Sequence, residues 1–187
     1  MTPTSDDRFE GPLGRRLVEN LILVDGCGQP IGHGEKMAVH RGEGMLHLAF
    51  SIFIFNARGR MLLQRRAVGK YHFGGLWSNA CCGHPLKGET LEDEAHRRLR
   101  QELGFDTQLR ELFSFVYTAT DVASGLTERE YDHVFCGEFD GDPRPCAEEI
   151  DELKWVDVTT VQREVAERPE RYTPWFAKAL GKVARLR

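Results

Sequence analysis

Residues 83–105, GHPLKGETLEDEAHRRLRQELGF, constrain this chain more than any other stretch. Thr90 with Asp93 three residues on reads as a capping box. Leu91, Ala95, Leu99 and Leu103 then recur every fourth residue, so the segment predicts a helix with a single apolar stripe that must be packed against something. Gly104 ends it. The other side carries Glu94, Arg98 and Glu102 at the same spacing, projecting three charged groups along one face. Such a face is either a solvated surface laced with ion pairs or the wall of a site.

The rest of the chain supplies strands for that helix to cover. LHLAFSIFIFN (46–56) is rich in β-branched and aromatic residues, as a strand buried on both faces would be. NARG (56–59) makes a turn, and RMLLQRR (60–66) returns as the second arm of a hairpin. LILVD (21–25), FSFVYTAT (113–120), YDHVFCGEF (131–139) and ELKWVDV (152–158) read as further strands, with GCGQPIG as a turn and residues 69–88 as mostly loop. A helix runs through VQREVAER, and TPWFAKALGKVARL (173–186) closes the chain as an amphipathic helix with Pro174 in its first turn. Strands joined by hairpin turns and flanked by a few helices give an α+β class, an α/β/α sandwich. Residues 1–16 are expected to be a flexible N-terminal tail and residues 17–187 a single domain.

Charge and cysteines narrow the function classes. A net charge of −4 gives no reason to expect nucleic-acid binding. Five cysteines, an odd number with no CxxC spacing, argue against a secreted disulfide framework and for a reduced cytoplasm. The N-terminal residues lack the apolar core of a signal peptide, and no run approaches the roughly 18 apolar residues of a membrane span. A cytoplasmic protein is expected.

The chemistry-bearing residues are dispersed. His40 and His47 flank the loop RGEGML, and His84 follows the cysteine pair of NACCGHP. In TEREY, Glu128 and Glu130 stand two apart, so in an extended segment both carboxylates face the same way. Three imidazoles and two carboxylates suit one divalent transition metal, Mn²⁺ or Zn²⁺. Neighbouring cysteines rarely bridge. In an extended segment Cys81 and Cys82 face opposite ways, so at most one of them looks into a pocket; Gly83 is expected to allow a turn.

The helical segment with its approach loop resembles the Nudix box. Gly83, Glu89, Arg97, Leu99, Gly104 and Phe105 occupy the box positions, whereas Arg98 and Gln101 stand where the family keeps glutamates. With SNACCGHPLKGE, LHLAFS, RRAVGK, TEREY and TPW, the stretch from about residue 21 to residue 180 resembles the isopentenyl-diphosphate Δ-isomerases of type 1, which have the Nudix fold. The resemblance implies mixed β-sheets flanked by helices and the interconversion of isopentenyl and dimethylallyl diphosphate.

It also implies roles. Cys82, Glu130 and Tyr117 would be catalytic. Lys36, Arg66, Lys70 and Arg98 would line the diphosphate site, with Trp175 over the hydrocarbon end. His40, His47, His84, Glu128 and Glu130 would hold the Mn²⁺ or Zn²⁺. Glu102 and the backbone carbonyl of Cys82 would hold a Mg²⁺ that carries the diphosphate. Flavin is not expected, and the partner would be a small diphosphate substrate acted on by a monomer or weak homodimer. Moving an unactivated double bond by one carbon requires an acid and a base on opposite sides of the substrate. Two other readings stay open: a Nudix hydrolase of a nucleoside diphosphate derivative, and a non-catalytic metal-binding protein.

Overall fold

The computed structural model describes residues 19–187, so the tail expected over residues 1–16 lies outside the described residues. The spine of the fold is β3 (His47–Phe55), the apolar run expected to be buried on both faces. Its alternate side chains separate: Phe50, Ile52 and Ile54 enter one buried cluster, Phe53 and Phe55 another. The hairpin partner β4 (Met61–Arg66) divides the same way, Leu62 to the first cluster and Met61 and Leu63 to the second.

Both edges of β3 are paired. One takes β8 (Thr127–Glu138) in parallel along its whole length. The other is shared, antiparallel, by β1 (Asn20–Val24), β6 (Cys81–Gly83) and β4. Outside these lie β2 (Pro30–Glu35) on β1, β7 (Arg110–Thr120) on β8, and β9 (Ile150–Val156) with the short β5 (Trp77–Ser78) on β4, completing a nine-stranded mixed sheet. Helix α2 (Leu91–Leu103) covers the first cluster with Ala95, Leu99 and Leu103. Helices α3 (Val158–Glu167) and α4 (Pro174–Leu186) cover the second with Val161, Phe176, Leu180 and Val183. The architecture is α+β, a curled sheet between helices. Helix α1 (Lys36–Val39) is one turn, its first amides capped by the Glu35 carboxylate.

Three stretches differ from the sequence expectation. Residues Pro30–Glu35 form a strand rather than a turn, and the glycine-rich segment holds β5 and β6. These are short or exposed strands held by a neighbour's ladder rather than by an apolar pattern of their own. The strand expected from Tyr131 begins at Thr127, because Glu128, Glu130 and Asp132 point inward and reverse the alternation that marks a half-buried strand.

Helix α2 is stapled at its far end. Gly104 takes φ +73°, and a Cβ there would lie 2.9 Å from Arg144 Cβ. Just beyond, Asp106 is bonded to His96 at 2.6 Å and pairs with Arg100. Burial is the largest single influence on the Asp106 carboxyl and raises it, but the bonds from His96, Arg100 and the Thr107 amide together outweigh it and hold the group below its usual range. Because the folded value is depressed, this contribution to stability is present above the unfolded value of about 3.9 and lost as pH falls. Asp106→Asn should therefore melt below the parent at pH 6, with the gap closing as pH drops below about 4 in a thermal-melt series. Leu99→Ala, by emptying the centre of the α2 cluster, should lower the unfolding free energy by about 2–5 kcal/mol in urea titrations.

Candidate active site

Strand β6 separates the two cysteines. Cys81 lies opposite Ile52 and is wholly buried in the cluster under α2. Cys82 lies opposite Ser51 on the other face and lines a cavity of about 240 Å³. Gly83 is part of β6 and makes no turn. Its lack of a side chain serves close approach instead, since a Cβ there would meet the Phe50 ring at 3.0 Å.

The ladder carries the ionisable groups to the same face as Cys82. His47 on β3, Glu130 on β8 and Tyr117 on β7 stand level across three adjoining strands. The Tyr117 hydroxyl donates to Glu130 Oε2 at 2.5 Å. Glu128, two residues earlier, shares that face, while His40 arrives from the end of α1 and His84 from the exit of β6. Ligand atoms of His40, His47, His84 and Glu128 all lie within 4.8 Å of one another. Glu130 Oε1 joins them, 2.7 Å from His84 Nε2 and 3.8 Å from His47 Nε2.

This donor set fits a divalent metal. His40 Nδ1 is bonded to the Lys36 carbonyl at 2.6 Å, and His47 Nδ1 to the Met45 carbonyl at 2.8 Å. Each carbonyl keeps the ring proton on Nδ1, which leaves Nε2 a bare lone pair facing the cluster. For His40 that lone pair is 2.9 Å from Glu128 Oε2, an arrangement that repels unless a cation sits between. The buried His47 Nε2 has no hydrogen-bond partner at all. Burial alone would raise Glu128, but the surrounding imidazoles of His40, His47, His72 and His84 more than offset it and hold its carboxyl well below the usual range. Burial, Glu128 and Asp132 push Glu130 well above it. Two such carboxylates in a dry pocket call for positive charge.

The basic residues line the same cavity. Lys36 is paired with Glu19 at 2.7 Å, Lys70 with Glu149, and Arg98 with both Glu102 and Glu149. Arg66 instead donates to Cys82 Sγ at 3.8 Å and to the His72 carbonyl at 3.3 Å. Burial pushes the Cys82 thiol up to about 12, with Arg66 pulling the other way. Trp175 closes the apolar end, its indole N–H donating to Asn79 Oδ1 at 3.2 Å and the Arg66 guanidinium 5.4 Å from its ring. Glu102 is the exception among the candidates. It is buried and paired with Arg98, and like His40, His47 and Tyr117 it stands behind the cavity lining; unlike them it is not joined to the imidazole and carboxylate cluster.

Three residues in and behind the cavity wall escape a reading of the sequence. His72 bonds Glu128, Glu149 pairs with both Lys70 and Arg98, and Asn79 anchors Trp175. His72 had a signal, a histidine in the same glycine-rich stretch as Cys82. Glu149 had none, because its partners lie far along the chain.

Comparison with known proteins bears on the family and the fold. Residues 45–176 match the NUDIX domain. Isopentenyl-diphosphate Delta-isomerase 2 of Aromatoleum aromaticum is 50% identical over 171 residues, 91% of this chain and 89% of that protein. Isopentenyl-diphosphate Delta-isomerase of Halorhodospira halophila is 47% identical over 164 residues, 87% of this chain and 94% of that one. Among solved structures, DR0079 from Deinococcus radiodurans superposes with a TM-score of 0.72 at 22% identity, covering 90% of this chain and 99% of its own, a likeness of fold. With half its residues shared across nine-tenths of its length, and a NUDIX domain beneath them, the chain belongs to the isopentenyl-diphosphate Delta-isomerase family.

Proposed function

We propose that the chain interconverts isopentenyl and dimethylallyl diphosphate, with residues 17–187 acting as one catalytic domain. The observation that carries this reading is the convergence of Cys82, the Tyr117–Glu130 pair and a ring of basic residues on one small cavity. Cys82 and Glu130 approach that cavity from strands on opposite edges of β3, as an acid and a base working on two sides of a flat substrate require.

In the forward direction the Tyr117–Glu130 pair gives a proton to the terminal alkene carbon, leaving a tertiary cation one carbon further in. Sγ of Cys82 takes a proton from the carbon beyond, and the electron pair of that C–H bond becomes the new double bond. Burial favours the neutral thiol, and Arg66, against Sγ, is the group that favours the thiolate this step begins from; the protonated thiol is the acid of the reverse reaction. Trp175 presents an aromatic face to the cation, worth about 2 kcal/mol when dry. Burial of Trp175, Tyr117 and Phe73 keeps out the water that would trap the cation as an alcohol. Lys36, Arg66, Lys70 and Arg98 hold the diphosphate, each exchanging part of its present pairing for a phosphate oxygen.

His40, His47, His84, Glu128 and Glu130 would hold one Mn²⁺ or Zn²⁺, and Glu102 with the Cys82 carbonyl a Mg²⁺. When bound, these ions supply positive charge to the two carboxylates and to the substrate's diphosphate. No flavin is required. No described helix is long and apolar enough to cross a membrane; we place the protein in the cytoplasm as a monomer or weak homodimer.

Two features weigh against a hydrolase. Arg98 and Gln101 stand where a carboxylate cluster would be needed to activate water, and the cavity falls below the roughly 300–1,000 Å³ usual for larger ligands. Purified protein given isopentenyl diphosphate, Mg²⁺ and either Mn²⁺ or Zn²⁺, without flavin, should form dimethylallyl diphosphate and release no phosphate. Cys82→Ser should lose roughly 10²–10⁴-fold in kcat, while Cys81→Ala keeps most activity. Equal losses at both cysteines would sink the assignment, and phosphate release would favour the hydrolase.

A further inference from the structure

We propose that His72 is a positioning residue that fixes the carboxylate of Glu128, one oxygen toward itself and the other toward the imidazole cluster. The two oxygens of Glu128 have separate surroundings. Oε2 faces His40 at 2.9 Å and His47 at 3.5 Å, whereas Oε1 is taken by His72 Nε2. His72 is not one of the converging group itself, since the residues whose ligand atoms lie together are His40, His47, His84 and Glu128. It acts from behind, through the carboxylate.

The imidazole is held for that task. Its Nδ1 is buried without a hydrogen-bond partner, so the proton of the neutral ring belongs on Nε2, where it is donated to Oε1. The ring is packed against Tyr71 at 4.2 Å and edge-on to Phe73 at 5.4 Å, and Arg66 grips the His72 carbonyl. The chain then turns at Phe73, the only non-glycine among the described residues with positive φ, at +49°. A left-handed conformation is strained for a residue with a Cβ. The Phe73 amide is tied to Asp121 Oδ2 at 3.2 Å, which holds the turn in place.

A carboxylate with both oxygens free can chelate a metal with both or swing away from it. With Oε1 occupied, Glu128 offers Oε2 alone, in a fixed direction, and the entropy of ordering it is already spent before the ion arrives. The inference rests on the metal-site reading above, and the two are tested separately.

Metal-free full-length protein is titrated with Mn²⁺ in excess Mg²⁺, free Mn²⁺ being followed by its electron paramagnetic resonance signal. The parent should bind one Mn²⁺, and His47→Ala should lose that binding. His72→Phe, which keeps an aromatic ring but has no donor, should bind with unchanged stoichiometry and roughly 10–100-fold weaker affinity. His72→Gln, whose amide can reach Oε1, should recover most of the loss. Near-ultraviolet circular dichroism checks folding; if the Phe variant does not fold, His72→Ala takes its place with the same expectation. Parental affinity in the donor-less variant, or a Gln variant as weak as Phe, overturns the positioning role and leaves the metal site standing. A parent that binds no Mn²⁺, or a His47→Ala that binds like the parent, overturns the metal site and the inference with it.

Discussion

Two carboxylates and three imidazoles brought together out of water are the interaction on which the rest depends. Left alone, Glu128 and Glu130 would repel each other and lose hydration that no apolar neighbour replaces. The sheet nevertheless forces them together, because residues two apart on β8 must share a face. The surroundings then act to make the cluster tolerable. Backbone carbonyls of Lys36 and Met45 set the imidazole tautomers, the Tyr117 hydroxyl satisfies one oxygen of Glu130, and His72 one oxygen of Glu128. What remains is a ring of lone pairs aimed at a common point, a demand for a cation built into the fold.

The same sheet sets what helix α2 contributes to the site. Helix α2 keeps its apolar stripe, its cap and its terminal glycine, so it still packs under β3 and β6. On its outer face Arg98 covers Glu102 and reaches Glu149. The buried pair Glu128 and Glu130 stands on β8, and the Cys82 thiol on β6, across β3 from it.

Much of this was legible in the residues, for physical reasons. The stripe of Leu91, Ala95, Leu99 and Leu103 dictates α2 because it contrasts with polar neighbours, and the run from His47 to Phe55 dictates β3 by sheer apolar content. Alternation alone sends Cys81 and Cys82 to different faces. Strand β8 was half hidden, because its inward residues are the polar ones that function needs. Strands β2, β5 and β6 have no pattern of their own. Glu149 and the anchoring role of Asn79 are matters of tertiary contact, which one sequence without a fold does not display.

The central claim is that this cavity moves a double bond by adding one proton and removing another. Its most direct test is turnover of isopentenyl diphosphate by the metal-loaded protein in D₂O, with the product analysed by mass and deuterium NMR at early times. The account predicts dimethylallyl diphosphate carrying one solvent deuterium in its newly formed methyl group. Product whose new methyl group contains no solvent deuterium would mean that hydrogen passes within the substrate, and would contradict it.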